Sequence, residues 1–393
     1  MPKFVPLGQE EPMHTLCRMV IETKYEDLPS NVVNRAKQCI LDTIAVTIGG
    51  SAMDGIQTIV DFVKDKGGKP ESIIPLYEGK VPASEAALAI GPMSRAMDMG
   101  DIHGEAGHTS EYIFAALLAA TGLKDKVTGK EFITSFVVGQ EVLIRIGVAF
   151  KSVSKAVPNG NTGGHYIFGC VAAVGKLLNL SLDELEEAEG IASTMTQPHA
   201  LAMYSPATLM IRAHHGFTCQ DSINACLLAK RGITGPRRGV LTAPSGYLGF
   251  ARWETNPGAL TEGLGEEWEM TNVTTKHYPS VLSTQSAIDG ILEQMKEHNF
   301  KADDIANIDI DGTFPTVEHK ETMWNPQTVH DCQFSLPYTV ATAACSGDVF
   351  LDSYTPQARA RKDVRDLMTR ISIRGDTSLS KGEARVNTTL KDG

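Results

Sequence analysis

The sequence predicts a multidomain protein of the α and α+β classes: a large all-helical domain over 1–270, then a smaller α+β domain over 271–393. Three observations lead there. A chain of 393 residues exceeds one ordinary core at roughly 150 residues per domain. Up to about Trp268 apolar residues recur at helical spacing, and beyond it alternating segments enter. Aromatics make up only 6% against 42% apolar residues and 36 glycines, which suits helices packed closely through small side chains.

The elements follow in chain order. After the Pro29-Ser30 start signal, residues 31–48 read as a helix with Ala36, Ile40, Ile44 and Ile48 as its apolar row. Ile56, Ile59, Val60 and Val63 form a shorter stripe closed by Gly67-Gly68. Residues 67–82 read as a loop with a short strand at 72–74. Helices are predicted over 84–97 and 110–121. Two capping boxes, Thr128 with Glu131 and Ser181 with Glu184, each open a helix by satisfying its free N–H groups reciprocally. The first leads into Phe132–Phe150, apolar over most of its circumference. Further helices are predicted over 168–178 and 217–231. In the second domain Ser283–His298 is amphipathic through Ile288, Ile291, Leu292 and Met295. Ile305–Ile310 alternates as a strand, Leu336–Cys345 suits a helix, and 370–374 and 385–390 alternate again, giving helices with antiparallel strands. Asp392-Gly393 is a hairpin-turn dipeptide. Either the chain is truncated there, or its last strand pairs with an earlier one.

Composition narrows the function. A net charge of −11 argues against a nucleic-acid binder, which needs a basic face, and against a polybasic membrane-surface protein. The longest nearly apolar stretch recognised, Tyr112–Leu123, falls short of the ~20 residues of a bilayer span, so no membrane partner is expected. The N-terminus lacks a secretory pattern. Seven cysteines without a CxxC pair read as buried reduced thiols of a cytoplasmic protein.

No GxGxxG, Walker A, HExxH, GxSxG or EF-hand pattern is present. The densest polar cluster runs from Met97 to Ser110, where Asp98, Asp101, His103 and His108 lie among glycines on a helix-to-helix loop. Such a set suits general acid–base work. It equally suits carboxylates capping helices beside solvated histidines, and its spacing matches no specific metal pattern. The Gly-rich run from Asn159 to His165 is a candidate anion cradle or an ordinary turn. Arg212, His214 and His215 precede a predicted helix, as carboxylate ligands or as solvated surface. Lys276 sits beside the rigid Tyr278-Pro279 turn, as a binding cation or a surface lysine.

Taken together these segments resemble the MmgE/PrpD family. Ala96–Asp101 through His108-Thr109-Ser110 is similar to its A-x-D-[FY]-D-D-[ST]-H…HPS block. Gly169–Leu178 and Leu182–Ala192 resemble its Ala-rich helix, LLGL turn and following helix. Gly232–Pro236 is similar to its GFTGP turn, Lys276–Pro279 to its KxYP element, and Asp331–Tyr338 to its DAxFSxxY segment. The resemblance implies a helical domain followed by an α+β lid in a homodimer, with the active site between them and no metal or organic cofactor. It further implies proton transfer next to a carboxylate of a small anionic di- or tricarboxylate, as in 2-methylcitrate dehydration, cis-aconitate decarboxylation or iminodisuccinate epimerisation.

By position, the resemblance makes His108 the proton-transfer group and Asp98 its orienter or acid–base partner. Lys276 becomes a carboxylate or enolate clamp, Tyr338 a hydrogen-bond donor, and His103 a second-rank catalytic candidate. Arg212, Asp101, His165 and His214 are the candidate substrate ligands. The departures are Gly100 for a motif aspartate, Ile102 for a threonine or serine, Gly160 for a histidine, Ile211 for a lysine, and Val281 for a lid histidine of the decarboxylase branch. They count against decarboxylation and weaken a dehydratase. An epimerase or isomerase tolerates them better, and a non-catalytic carboxylate-binding homologue is the rival from another class. The family's C-terminal segment also extends beyond the point where this sequence stops, in line with the unfinished hairpin.

Overall fold

The computed structural model describes residues 11–151, 164–196, 208–251, 253–312, 320–376, 378–380 and 382–392. Among these the chain is mostly helical and falls into two compact units. One holds the residues up to Thr275 apart from Met97–Met99 and Thr208; the other holds those exceptions and everything from Lys276 onward. Each unit has its own apolar core.

The first unit opens with α1 (Pro12–Glu22), α2 (Ser30–Gly50) and α3 (Ile56–Lys66). The row Ala36, Ile40, Ile44, Ile48 is not the face that α2 buries. A step of four residues overshoots one turn by about 40°, so the row winds around the helix. Ala36 is buried but Ile48 is 50% exposed, and the buried face runs through Cys39, Thr43, Val46 and Thr47. The two threonines are tolerated there because each hydroxyl donates to the carbonyl four residues back. The expected strand β1 (Ser72–Ile74) is present and pairs antiparallel with β2 (Tyr77–Val81), which the sequence left as loop.

The centre of this unit is built from α4 (Ala83–Arg95), α5 (Ser110–Ala120), α6 (Gly129–Phe150), α7 (Tyr166–Leu177), α8 (Leu182–Ser193) and the helix Met210–Ala229. Both capping boxes form, with Thr128 and Ser181 accepting from the amides of Glu131 and Glu184. By length and hydropathy α6 would pass for a membrane span, exceeding the 112–123 stretch, but 83% of its most apolar window is buried within the fold. It is a core helix.

The helix Met210–Ala229 begins well before the predicted residue 217, because Gly216 is a crossing point and not a break. A Cβ at Gly216 would lie 2.2 Å from the Leu88 carbonyl oxygen, and one at Gly91 would lie 2.8 Å from the Gly216 nitrogen. Glycine on both sides lets this helix and α4 touch backbone to backbone. Arg212, His214 and His215 therefore sit inside the helix's first turns, not ahead of it. Between α4 and α5 the chain forms β3 (Ile102–His103) and β4 (Gly107–His108), which with β5 (Val273–Thr274) make an antiparallel sheet in the order β4-β3-β5.

The second unit packs the helices Leu282–His298, Leu336–Ser346 and Lys362–Met368 with a three-stranded sheet. In this sheet β6 (Ile305–Gly312) lies between β7 (Ile371–Gly375) and β8 (Ala384–Leu390). Only β8 pairs antiparallel to β6; β7 is parallel, correcting the all-antiparallel expectation. The helices between β6 and β7 supply the crossover that a parallel pair requires. The strand β8 pairs with the earlier strand β6. All seven cysteines are free thiols, six of them buried.

Candidate active site

The Met97–Ser110 cluster divides between the two units, and most of it serves the helical one. Asp101, fully buried, caps the N-terminus of α5. One oxygen accepts from the Ser110 amide at 3.1 Å and from the Thr109 hydroxyl at 3.3 Å, and the other accepts from the Ser110 hydroxyl. Gln140 of α6 donates in turn to that hydroxyl at 2.6 Å. Burial pushes the Asp101 carboxyl up to about 6, against the pull of the Ser110 donors. Asp42 of α2 is pushed up to about 7, first by burial and then by Asp101 and Glu111. This is the helix-capping reading of the cluster, and it takes Asp101 out of direct substrate binding.

His103 is likewise tied to its own turn. Its Nδ1 accepts from the amides of Glu105 and Ala106 at 3.3 and 3.1 Å, which leaves the proton on Nε2, 3.6 Å from Glu269. The ring organises the loop between β3 and β4 and is not presented as an acid or base. His165 donates from Nε2 to the Ala106 carbonyl at 2.9 Å, fastening the same turn from the start of α7. The remainder of its Gly-rich loop, 159–163 with Gly160, lies outside the described residues.

His108 differs. Its Nδ1 is buried while 16% of the side chain stays accessible, and Nδ1 lies 3.4 Å from Oε2 of Glu111. Glu111, in the first turn of α5, is completely buried. Two other helices converge on the same oxygen. His215 Nε2 approaches to 3.3 Å from the helix Met210–Ala229, and Arg95 Nε to 3.9 Å from the last turn of α4. Burial opposes ionisation of Glu111, yet His108, His215 and Arg95 draw its carboxyl well below the ordinary range, and the positive end of α5 acts in the same sense. Burial holds His215 down to about 3 against the pull of Glu111, so its imidazole is neutral. The negative charge therefore faces His108 first, at 3.4 Å, and Arg95 at 3.9 Å.

An aromatic column supports this cluster. The His215 ring stacks on Tyr112 at 3.9 Å, Tyr112 stacks on Tyr166 at 4.2 Å, and the His165 ring lies 4.2 Å from Tyr166. His214, by contrast, bonds through Nδ1 to the Met210 carbonyl of its own helix at 2.9 Å. Arg212 donates to the Asp54 carbonyl at 2.9 Å. Of the two adjacent histidines, His215 reaches the charged cluster. Glu111 and Arg95 were not among the residues selected from sequence, and His215 was noted only beside Arg212 and His214 as a carboxylate ligand or solvated surface.

In the second unit, Lys276 and Asp98 come together. The ammonium donates to both the Asp98 carboxylate and the Asp98 backbone carbonyl at 2.9 Å, with 1% and 4% of the two side chains exposed. Asp98 adopts a left-handed backbone, φ +51°, and Gln333 donates to the neighbouring Met97 carbonyl at 2.8 Å. Tyr338 is buried in the core and its hydroxyl donates to the Ser353 carbonyl at 2.5 Å, so its hydrogen goes to the backbone and not to a ligand. Among the described residues no three His, Cys, Asp or Glu side chains gather as a metal-ligand group.

Comparison with known proteins finds relatives along most of the chain. A cis-aconitate decarboxylase-like protein, oryM, of Aspergillus oryzae is 28% identical over 370 residues, covering 87% of this chain and 75% of the relative. Two cis-aconitate decarboxylase sequences from Aspergillus terreus are each 28% identical over 280 residues, 67% of this chain but only 56% of their own length. The MmgE/PrpD N-terminal domain model matches residues 14–257 and the C-terminal domain model residues 278–393. With both domain models matched in order along nearly the whole chain, this protein belongs to the MmgE/PrpD family.

Proposed function

We propose that this chain is an enzyme acting on a small di- or tricarboxylate by proton transfer at a carbon next to a carboxylate, as a lyase or isomerase. The observation that carries this reading is His108, a partly accessible imidazole backed by a buried, charge-compensated carboxylate. In a dehydration of the 2-methylcitrate type, His108 takes the proton α to a carboxylate and the electron pair passes into that carboxylate as a dianionic enolate. It then returns to form the double bond as hydroxide leaves with a proton from an acid. Lys276, with Asp98, is the proposed cation for a substrate carboxylate.

Decarboxylation is the second reading, favoured by the names of the fungal relatives. Against it, Val281 stands where the decarboxylase branch has a histidine, and Ile211 where the resembling family motif has a lysine. Ile102 and Ile211 are both buried apolar residues, so neither supplies a donor. The test is proton NMR of the purified chain with cis-aconitate, 2-methylcitrate, citrate, tartrate and aspartate-derived substrates in deuterated water. The reading expects a new olefinic product or deuterium α to a carboxylate, abolished by His108→Ala. Exchange with none of them would leave a carboxylate-binding homologue. Loss of CO2 from cis-aconitate would select the second reading over the first. We also propose a homodimer, to be measured by light scattering.

A further inference from the structure

The clearance around Gly100 gives Glu111 a role that the motif alone does not. A Cβ built on Gly100 would lie 2.0 Å from Glu111 Oε1, 2.6 Å from its Cδ and 2.7 Å from its Cγ. The Glu111 carboxylate therefore fills the volume into which any side chain at position 100 would project. This is also the position where the resembling motif carries an aspartate. Glu111 is completely buried and, among the described residues, neither of its oxygens has a hydrogen bond of regular geometry. Its close neighbours are the three cation-capable groups of His108, His215 and Arg95.

We propose, building on the proton-transfer reading above, that Glu111 is the positioning carboxylate of His108 and that Gly100 is the opening which admits it. In this dyad Glu111 accepts the Nδ1 proton of His108, which fixes the tautomer and leaves Nε2 as the nitrogen that takes the substrate proton. When Nε2 is protonated, the imidazolium sits against a carboxylate already ionised. Arg95 Nε, 3.9 Å away, adds a fixed positive charge facing the same oxygen. His215, neutral and stacked on Tyr112, faces the same oxygen through Nε2 at 3.3 Å. The change at position 100 is thus a relocation of the carboxylate to the opposite wall of the same space, and not its loss.

Other titratable groups face this dyad. Asp101 and Asp42 lie on its acidic side, with Arg35 beside Asp42, and the Tyr112 hydroxyl, buried and unbonded among the described residues, adjoins Glu111. The two aspartates oppose negative charge at Glu111, but a charge-neutral variant also removes the carboxylate facing buried Arg95, so circular dichroism must show the variant folded before its titration is read. Glu111→Gln, of nearly the same volume, is the primary variant.

The test combines imidazole NMR with turnover. The full-length chain carrying 15N-labelled histidine is titrated, with the His108 signals identified by their absence in His108→Ala. The wild type is expected to show His108 protonated on Nδ1. Glu111→Gln is expected to lose that preference and to move the titration midpoint of this ring to lower pH. On whichever polycarboxylate the wild type turns over, Glu111→Gln should lower kcat roughly 100-fold with KM little changed. Gly100→Asp alone should be inactive, and Gly100→Asp with Glu111→Ala should recover at least ten-fold over Glu111→Ala. An unchanged tautomer and midpoint in Glu111→Gln would overturn the dyad, as would a double variant no better than Glu111→Ala. A wild type that turns over no polycarboxylate would remove the proposed function, leaving the imidazole titration to decide the dyad on its own.

Discussion

Replacing Lys276 by methionine removes one member of an ion pair whose side chains are 1% and 4% exposed and 2.9 Å apart. The aliphatic stem is preserved, so packing loss is small, and the change falls on the charge. Asp98 would be left as an uncompensated buried carboxylate, and its backbone carbonyl would lose the second Lys276 donor. Breaking such a pair from one side costs about 3–5 kcal/mol, far above the ~1 kcal/mol ceiling of an exposed pair. The double variant Asp98→Asn, Lys276→Met removes both charges together. Asparagine is suited to position 98 because it tolerates the left-handed backbone found there. The double variant should therefore return to within about 1 kcal/mol of the wild type. Urea unfolding by circular dichroism, at constant slope, gives the free energies, and hydrogen exchange over 276–298 localises them. A cost below about 1 kcal/mol for Lys276→Met, or additive single changes, would refute the desolvated pair. Turnover separates stability from function: the double variant should recover the former and not the latter.

Gly216→Ala places a methyl against the Leu88 carbonyl and should cost about 1–3 kcal/mol, read as a lowered urea midpoint. Asp101 is raised by burial to about 6. The folded state thus holds its proton more tightly than the unfolded chain, and this contribution is complete below about pH 4 and lost as pH rises through about 6. Asp101→Asn, which cannot ionise, should flatten the stability slope over that window by about 3 kcal/mol, followed by urea midpoints at pH 4, 5, 6 and 7. Tyr338→Phe removes the bond to the Ser353 carbonyl and should cost about 1 kcal/mol of stability while leaving KM for the substrate unchanged. A large rise in KM would restore the hydroxyl as a ligand.

Local rules made much of this fold legible. The capping boxes at Thr128 and Ser181 are self-contained within four residues, and the alternation in β6 needs only a sheet with one buried face. What escaped was decided by partners remote in sequence. Ile44 and Ile48 look like core residues until one asks which face of α2 meets α4. The predicted helix starts only after Gly216, whose reason for being glycine is Leu88, more than a hundred residues away.

The site shows the same division more sharply. His108 was singled out because its residue type, loop and motif spacing suit proton transfer. Glu111 was not, because a glutamate in the first turn of a helix has an ordinary explanation, the favourable end of the helix dipole. Nothing near it in the sequence announces that α4 delivers Arg95 and the helix Met210–Ala229 delivers His215 to the same oxygen. Gly100 was legible only as a missing aspartate, a subtraction. In three dimensions it becomes a vacancy with the dimensions of a side chain, filled from position 111. A motif compared position by position registers a loss wherever a charge is supplied from another part of the backbone. The question for such a site is therefore whether a carboxylate still stands behind the imidazole, and here one does, 3.4 Å away.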